Sequence, residues 1–284
     1  MSESIITLDK VFWAYARSAD WALKNISLDI GEGDFIAVMG ENESGKTTLC
    51  RLLNGLIPHA LAGKLLGTVT VGGVSTAAST IPRLAEKVGM SFDDPETQLF
   101  TATVYDEAAF ALENLLLPPA EIRERAEWAL HACGLWDYAG YQPASLSGGQ
   151  KQRLAIAAAL AMAEKILVLD EPCSQLDPAG VQEVLSLIAS LRSRRLTVVM
   201  TTASGGEAAE FADKICVLEK GCLAAFDTPQ RIFAGRKLLA GGGIQYPQAA
   251  EFAHRMESLG EPLPQFPVNP DEAEQSVLQW YSNG

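Results

Sequence analysis

The residues best equipped for chemistry are Gly40-Glu41-Asn42-Glu43-Ser44-Gly45-Lys46-Thr47-Thr48, in the spacing G-x-x-x-x-G-K-[ST], directly after the apolar run of residues 34–39. A buried strand followed by two glycines and a helix start is what a phosphate-cradling loop requires. The glycines permit backbone angles closed to other residues, and successive N–H groups curl around an anion. The helix beginning at Lys46, expected to run to residue 56, presents its positive dipole end to the same charge. Lys46 is then a point charge for the outer phosphates, and Thr47 a hydroxyl ligand for Mg²⁺. The competing reading, a chance glycine turn between strand and helix, is set aside by the correct flanks.

Two further clusters belong to the same chemistry. Ile166-Leu-Val-Leu-Asp170-Glu171-Pro172 is an apolar run ending in two carboxylates. It reads as a central parallel strand covered on both faces, with Asp170 at the tip where ligands gather in doubly wound sheets. Asp170 is placed to hold Mg²⁺ through water and Glu171 to orient an attacking water, against the alternative of a surface turn. Leu146-Ser147-Gly148-Gly149-Gln150 opens a helix expected to reach about residue 163. Ser147 is its N-cap, and the two glycines leave the first N–H groups uncovered, an end suited to a phosphate. Tyr15, in Phe12-Trp13-x-Tyr15, offers a ring for a base, while Phe12 and Trp13 read equally well as packing on the sheet.

The elements that must position these residues follow from periodicity. Residues 5–13 and 23–30 alternate as two antiparallel strands, with further strands at 67–73, 87–92, 196–202, 214–218 and 222–226. Residues 93–100 form a polar loop. Residues 104–116 and 119–133 carry apolar side chains at three- and four-residue spacing, two successive helices without an intervening strand, so a helical subdomain, about 93–163, interrupts an α/β core. The core is assigned to 1–235 and a small C-terminal appendage to 236–284, joined by Gly241-Gly-Gly243. Residues 247–284 hold six acids and one basic side chain. The apolar Val277, Leu278, Trp280 and Tyr281 suit either a docked tail or a dimer interface.

Composition narrows the class. At 48 % hydrophobic the 284 residues build a sizeable core, and a net charge of −13 argues against a general nucleic-acid binder. The acidic N-terminus lacks the order of a signal peptide, and no apolar run reaches a bilayer span. Five cysteines without metal spacing read as reduced, mostly buried thiols, and three histidines do not make a metal centre.

Taken together, GENESGKTT, LSGGQ, ILVLDEP and Ser174-Gln-Leu-Asp177 resemble the nucleotide-binding subunit of ATP-binding cassette (ABC) proteins over roughly residues 1–235, with LSGGQ the discriminating element. Gln98-Leu-Phe, the stretch 104–117 with Glu113-Asn-Leu, and the tail 243–264 are similar to the energy-coupling-factor importer ATPases, which include cobalt importer subunits. The resemblance implies a head-to-tail dimer with ATP between one subunit's phosphate loop and the other's LSGGQ helix. Lys46, Thr47, Thr48 and Asp170 would hold phosphates and Mg²⁺. Tyr15 would stack on adenine, Asp177 would belong to the cross-dimer loop, and Glu171 would be the base or water-positioning carboxylate. The partners implied are a second ATPase subunit, a transmembrane scaffold whose short helices dock on 93–113, and a membrane subunit capturing a vitamin or metal ion. The place implied is the cytoplasmic face of a prokaryotic membrane. The rivals are a soluble ABC-class ATPase of another kind and an ATP-dependent clamp that does not hydrolyse.

Three positions depart from the pattern. Asp93 stands for the loop glutamine, where it would have to ligand Mg²⁺ instead. Ala203 stands for the switch histidine. Glu43 replaces a glycine usual in ABC importers, although the loop then resembles those of DNA-repair ATPases. Ser147 to Gln150, which serve the partner's nucleotide, are intact. The expectation is an unequal pair, this chain lending a sound signature helix while turning over its own nucleotide slowly.

Overall fold

The computed structural model describes residues 4–162, 165–235 and 244–283. Strands β1 (Ser4–Tyr15) and β2 (Leu23–Gly31) form the expected antiparallel pair, and β3 (Phe35–Met39) leads into the phosphate loop. Helix α1 (Lys46–Leu53) stops short of the expected residue 56 because Gly55 is left-handed (φ 80°), and a short turn, α2 (Leu56–His59), follows. Then come β4 (Gly63–Val71), β5 (Val74–Ser75), α3 (Ile81–Ala85) and β6 (Val88–Ser91).

The expected helices are α4 (Val104–Asn114), α5 (Pro119–Ala132) and α6 (Gly148–Met162). After β7 (Ile166–Leu169), helices and strands alternate up to a final hairpin: α7 (Pro178–Leu191), β8 (Thr197–Thr201), α8 (Gly205–Phe211), the antiparallel pair β9 (Lys214–Glu219) and β10 (Cys222–Asp227), and α9 (Pro229–Ala234). Helices α10 (Gln248–Ser258) and α11 (Pro270–Asn283) complete the chain.

Two sheets result, one of order β2-β1-β4-β5 and one of order β10-β9-β3-β8-β7-β6. The second is parallel except for β10. The side-chain period of two divides β3 and β7 between two cores. Ile36, Val38, Ile166 and Val168 face the antiparallel sheet and α1, whereas Ala37, Met39, Leu167 and Leu169 face the helical layer. Every residue of both strands is buried, so both read as unbroken apolar runs.

The loop before α4 corrects one expectation. The stretch 93–113, on which the scaffold is expected to dock, carries Asp93, Asp94, Glu96, Asp106, Glu107 and Glu113, yet Glu107 is buried. Its carboxylate accepts from the N–H groups of Phe100 and Thr101 at 3.0 and 2.9 Å and from the Thr101 hydroxyl at 2.8 Å. It holds the loop and cannot meet a partner.

The segment after residue 243 packs on the core. Tyr246 contacts Phe233, the His254 ring pairs with the Phe233 carbonyl at 2.9 Å, and Ala250 and Val268 join the helical-layer core. On α11, Leu278 and Tyr281 are exposed while Ser276 is buried. The Gly241-Gly-Gly243 linker lies outside the described residues.

Candidate nucleotide site

Gly40 follows β3 where no side chain fits: a Cβ would sit 2.4 Å from both the Leu218 carbonyl and the Ser44 hydroxyl. Gly45 caps α1 with no side-chain hydrogen bond, leaving the first N–H groups of the helix open, and the buried Ser44 hydroxyl has no partner among the described residues. Glu43 sits at φ 64°, the left-handed region a glycine would occupy without strain. Lys46 is buried. Its ammonium donates to the carbonyls of Gly40 and Glu41 at 3.0 and 3.1 Å and pairs with Glu171 Oε1 at 3.3 Å. Tyr15, half-buried at the end of β1, shares a hydrogen bond of 3.0 Å with the Thr48 hydroxyl, while Trp13 packs fully in the core.

Asp170 comes to the same place from the tip of β7. Its Oδ1 accepts from Thr201 at 2.7 Å and from Thr47 at 3.3 Å, and its buried Oδ2 has no partner among the described residues. Burial raises the carboxyl above the ordinary aspartate range. The two hydroxyls oppose that shift, and the charges of Asp93 and Glu171 add to it. A buried carboxylate with free lone pairs, beside a hydroxyl and a second carboxylate, is a hard oxygen donor set, so the residues fit Mg²⁺. Glu171 follows at φ 45°, and its N–H donates to Thr201 Oγ1 at 2.7 Å. Thr201 thus clamps both acids, a role sequence reasoning missed: a threonine ending an apolar strand gives no signal by itself.

The second cluster is separate. The N–H of Gln150 donates to the Ser147 hydroxyl at 3.3 Å and the Ser147 N–H to Gln150 Oε1 at 2.9 Å, a reciprocal capping box that frames the exposed Ser147 and Gly148. Leu146 is buried beneath it. Asp177 caps α7, accepting from the Gly180 N–H at 2.8 Å, and Gly149 lies against Gly180. The structure therefore brings Tyr15, residues 40–48, Asp93, Asp170 and Glu171 to one surface and Leu146 to Gln150 with Asp177 to another. No hydrogen bond joins the two clusters among the described residues. Beside the first lies a cavity of about 280 Å³ whose lining includes Glu171, Ser174, Thr202, Ala203, Glu207 and Gln245.

A parallel sheet carrying a phosphate loop, a DE pair and an SGGQ helix defines an ABC-type ATPase. The family model described as ABC transporter matches residues 23–174, and the chain belongs to that family. It is 40 % identical to a putative ABC transporter ATP-binding protein of Pyrococcus horikoshii, over 90 % of this chain and 91 % of the relative. It is 37 % identical over the whole of both chains to the energy-coupling factor transporter ATP-binding protein EcfA1 of Levilactobacillus brevis, so the narrower resemblance holds along the full length. Among solved structures, cbiO1 from Clostridium perfringens, described as part of the ABC transporter complex cbiONQ, superposes with a TM-score of 0.73 at 30 % identity. That match covers 90 % of this chain and all of the other. An ATP-binding cassette dimer in a post-hydrolysis state with ADP and Pi gives 0.69 at 28 % identity, covering 79 % of this chain and 98 % of the other.

Proposed function

We propose that this chain is one of two unequal ATPase subunits driving an energy-coupling-factor importer for a vitamin or metal ion. It would sit on the cytoplasmic face of a prokaryotic membrane beside a transmembrane scaffold and a substrate-capture subunit. The observation that carries this is the contrast between a complete signature cluster and a phosphate-loop cluster with Asp93 and Ala203 where the family pattern has glutamine and histidine. Among the described residues no helix is long and apolar enough to cross a membrane, in keeping with a peripheral subunit.

In this reading Lys46 and the N–H groups of α1 hold the phosphates of ATP, and Tyr15 stacks on the base. Thr47 and Asp170, with Asp93 beside them, would hold Mg²⁺, which when bound would neutralise phosphate charge. The Lys46–Glu171 ion pair gives the residues an order of events. A phosphate anion draws the ammonium away, and the freed Glu171 carboxylate turns to the water that attacks the γ-phosphoryl group. The Leu146–Gln150 end and Asp177 serve the partner's nucleotide.

In the reconstituted complex, Ser147→Arg should remove most ATP turnover, about a hundredfold, whereas Lys46→Ala should leave a substantial part; a reversed ranking overturns the asymmetry. The scaffold would dock where Phe100 and Phe110, exposed and in edge contact at 4.8 Å, lie near Asp106. Asp106→Arg should lower co-purification with membranes, and unchanged recovery removes that face from the account.

A further inference from the structure

The C-terminal segment reaches the turn that carries Ala203. The Gln245 N–H donates to the Ala203 carbonyl at 3.1 Å and the Gly205 N–H donates to the Gln245 carbonyl at 2.8 Å, a parallel bridge that pairs Ser204, just past β8, with Gln245. The approach leaves no room for a side chain on the other strand: a Cβ on Gly205 would lie 2.1 Å from the Gln245 carbonyl oxygen. Gln245 is thereby held at the cavity that also borders Glu171.

That cavity is poor in donors. Thr201 is committed to Asp170, and the Thr202 hydroxyl donates to Glu207 at 2.7 Å while accepting from the Ser204 N–H at 3.0 Å. Glu171 and Glu207 bring carboxylates, and Ala203 brings a methyl group. The Cys173 thiol, pushed up to about 12 by burial, stays protonated and is a weak donor at best. Against two carboxylates, an anion at this end needs hydrogen-bond donors without negative charge. Three side chains supply them: the Ser174 hydroxyl on the turn after Glu171, the Ser204 hydroxyl, whose oxygen is tied to the Glu207 N–H at 3.3 Å, and the Gln245 carboxamide, which has no partner among the described residues. Of these, only Gln245 comes from the C-terminal segment, and its long carboxamide offers two N–H donors.

We propose that Gln245 contacts the nucleotide in this chain's own site, its carboxamide donating to the γ-phosphate across the space beside Ala203. The C-terminal segment, not the core, then supplies the donor at that end. This rests on the phosphate-loop reading above and adds to it that the appendage senses whether a third phosphate is present.

Because the strap is tied by main-chain atoms and Gln245 is exposed, truncating its side chain leaves the anchorage in place. Calorimetric titration of the full chain with Mg²⁺ and either a non-hydrolysable ATP analogue or ADP tests the proposal. Gln245→Ala should weaken the triphosphate about tenfold and leave ADP unchanged, and Gln245→Glu should weaken the triphosphate further by charge repulsion. Adding Ala203→His to Gln245→Ala should restore most of the discrimination, a rescue that a merely structural role for Gln245 would not permit. Equal losses for both nucleotides, or no loss for either, overturn the proposal. Failure of the unmodified chain to bind even ADP would instead overturn the phosphate-loop reading, and this proposal with it.

Discussion

The N-termini of α1 and α6 both face outward with glycine-lined starts, and they are built on opposite plans. At α6 the side chains satisfy one another: Ser147 and Gln150 exchange hydrogen bonds, and only the N–H groups of Gly148 and Gly149 stay open. At α1 they do not. Ser44 and Asp170 Oδ2 are buried without partners, Lys46 is shared between carbonyls and a carboxylate, and Glu43 and Glu171 hold left-handed backbone. Unsatisfied buried groups and non-glycine left-handed residues each cost on the order of 1–3 kcal/mol, so the second plan persists where a ligand offsets it. The difference teaches that one end holds its side chains in place without a ligand, and the other carries strain that a bound ligand would offset.

Substitutions on each side test that contrast. The largest effect is expected at Asp170. Asp170→Asn should cut Mg²⁺-dependent nucleotide affinity ~10–100-fold by titration. It should also raise the thermal midpoint at neutral pH, because burial holds the native carboxyl above its unfolded value and its ionised form therefore costs stability there. As pH falls through that raised range toward the ordinary aspartate value, the native carboxyl takes up its proton and the advantage of the variant should shrink. A variant less stable than the parent at neutral pH would remove the idea of a strained receptor. Next comes the capping box. Ser147→Ala should cost ~1 kcal/mol in denaturant unfolding, and Gln150→Ala added to it less than its own single effect, since the two bonds close one motif. Strict additivity would mean that the box does not act as a unit. The smallest effect is at Glu43, where Glu43→Gly should relieve left-handed strain partly offset by the extra freedom of an unfolded glycine. The net gain would be ~0.5 kcal/mol, and a loss of stability would show that the Glu43 side chain makes a contribution larger than its backbone cost.

Much of this was legible in the chain itself, for physical reasons that differ between elements. β3 and β7 announce themselves because burial on both faces forces unbroken apolar runs, and the phosphate loop because its backbone geometry demands glycines at fixed spacing. Helices α4 and α5 follow from periodicity, and the start of α6 at Ser147 from capping chemistry. What escaped notice depends on contacts distant in sequence. Thr201 acquires its role only when β8 lies beside β7. Gln245 matters only because the tail folds back onto residues 203–205. Glu107 looks like any first-turn acid of a helix until the loop before it turns its N–H groups inward. Departures at Asp93 and Ala203 were visible as residue types, but what stands nearby to offset them was not.

Glu107 has a mechanical consequence. Three donors from Phe100 and Thr101 converge on one carboxylate rooted in the first turn of α4, so loop and helix form a stiff bracket in place of a hinge. The same loop begins at Asp93, one of the charges that acts on Asp170. At its other end Phe100 and Thr101 are fastened to α4 and follow its first turn as one piece, so the exposed Phe100 ring keeps a fixed place relative to the helix.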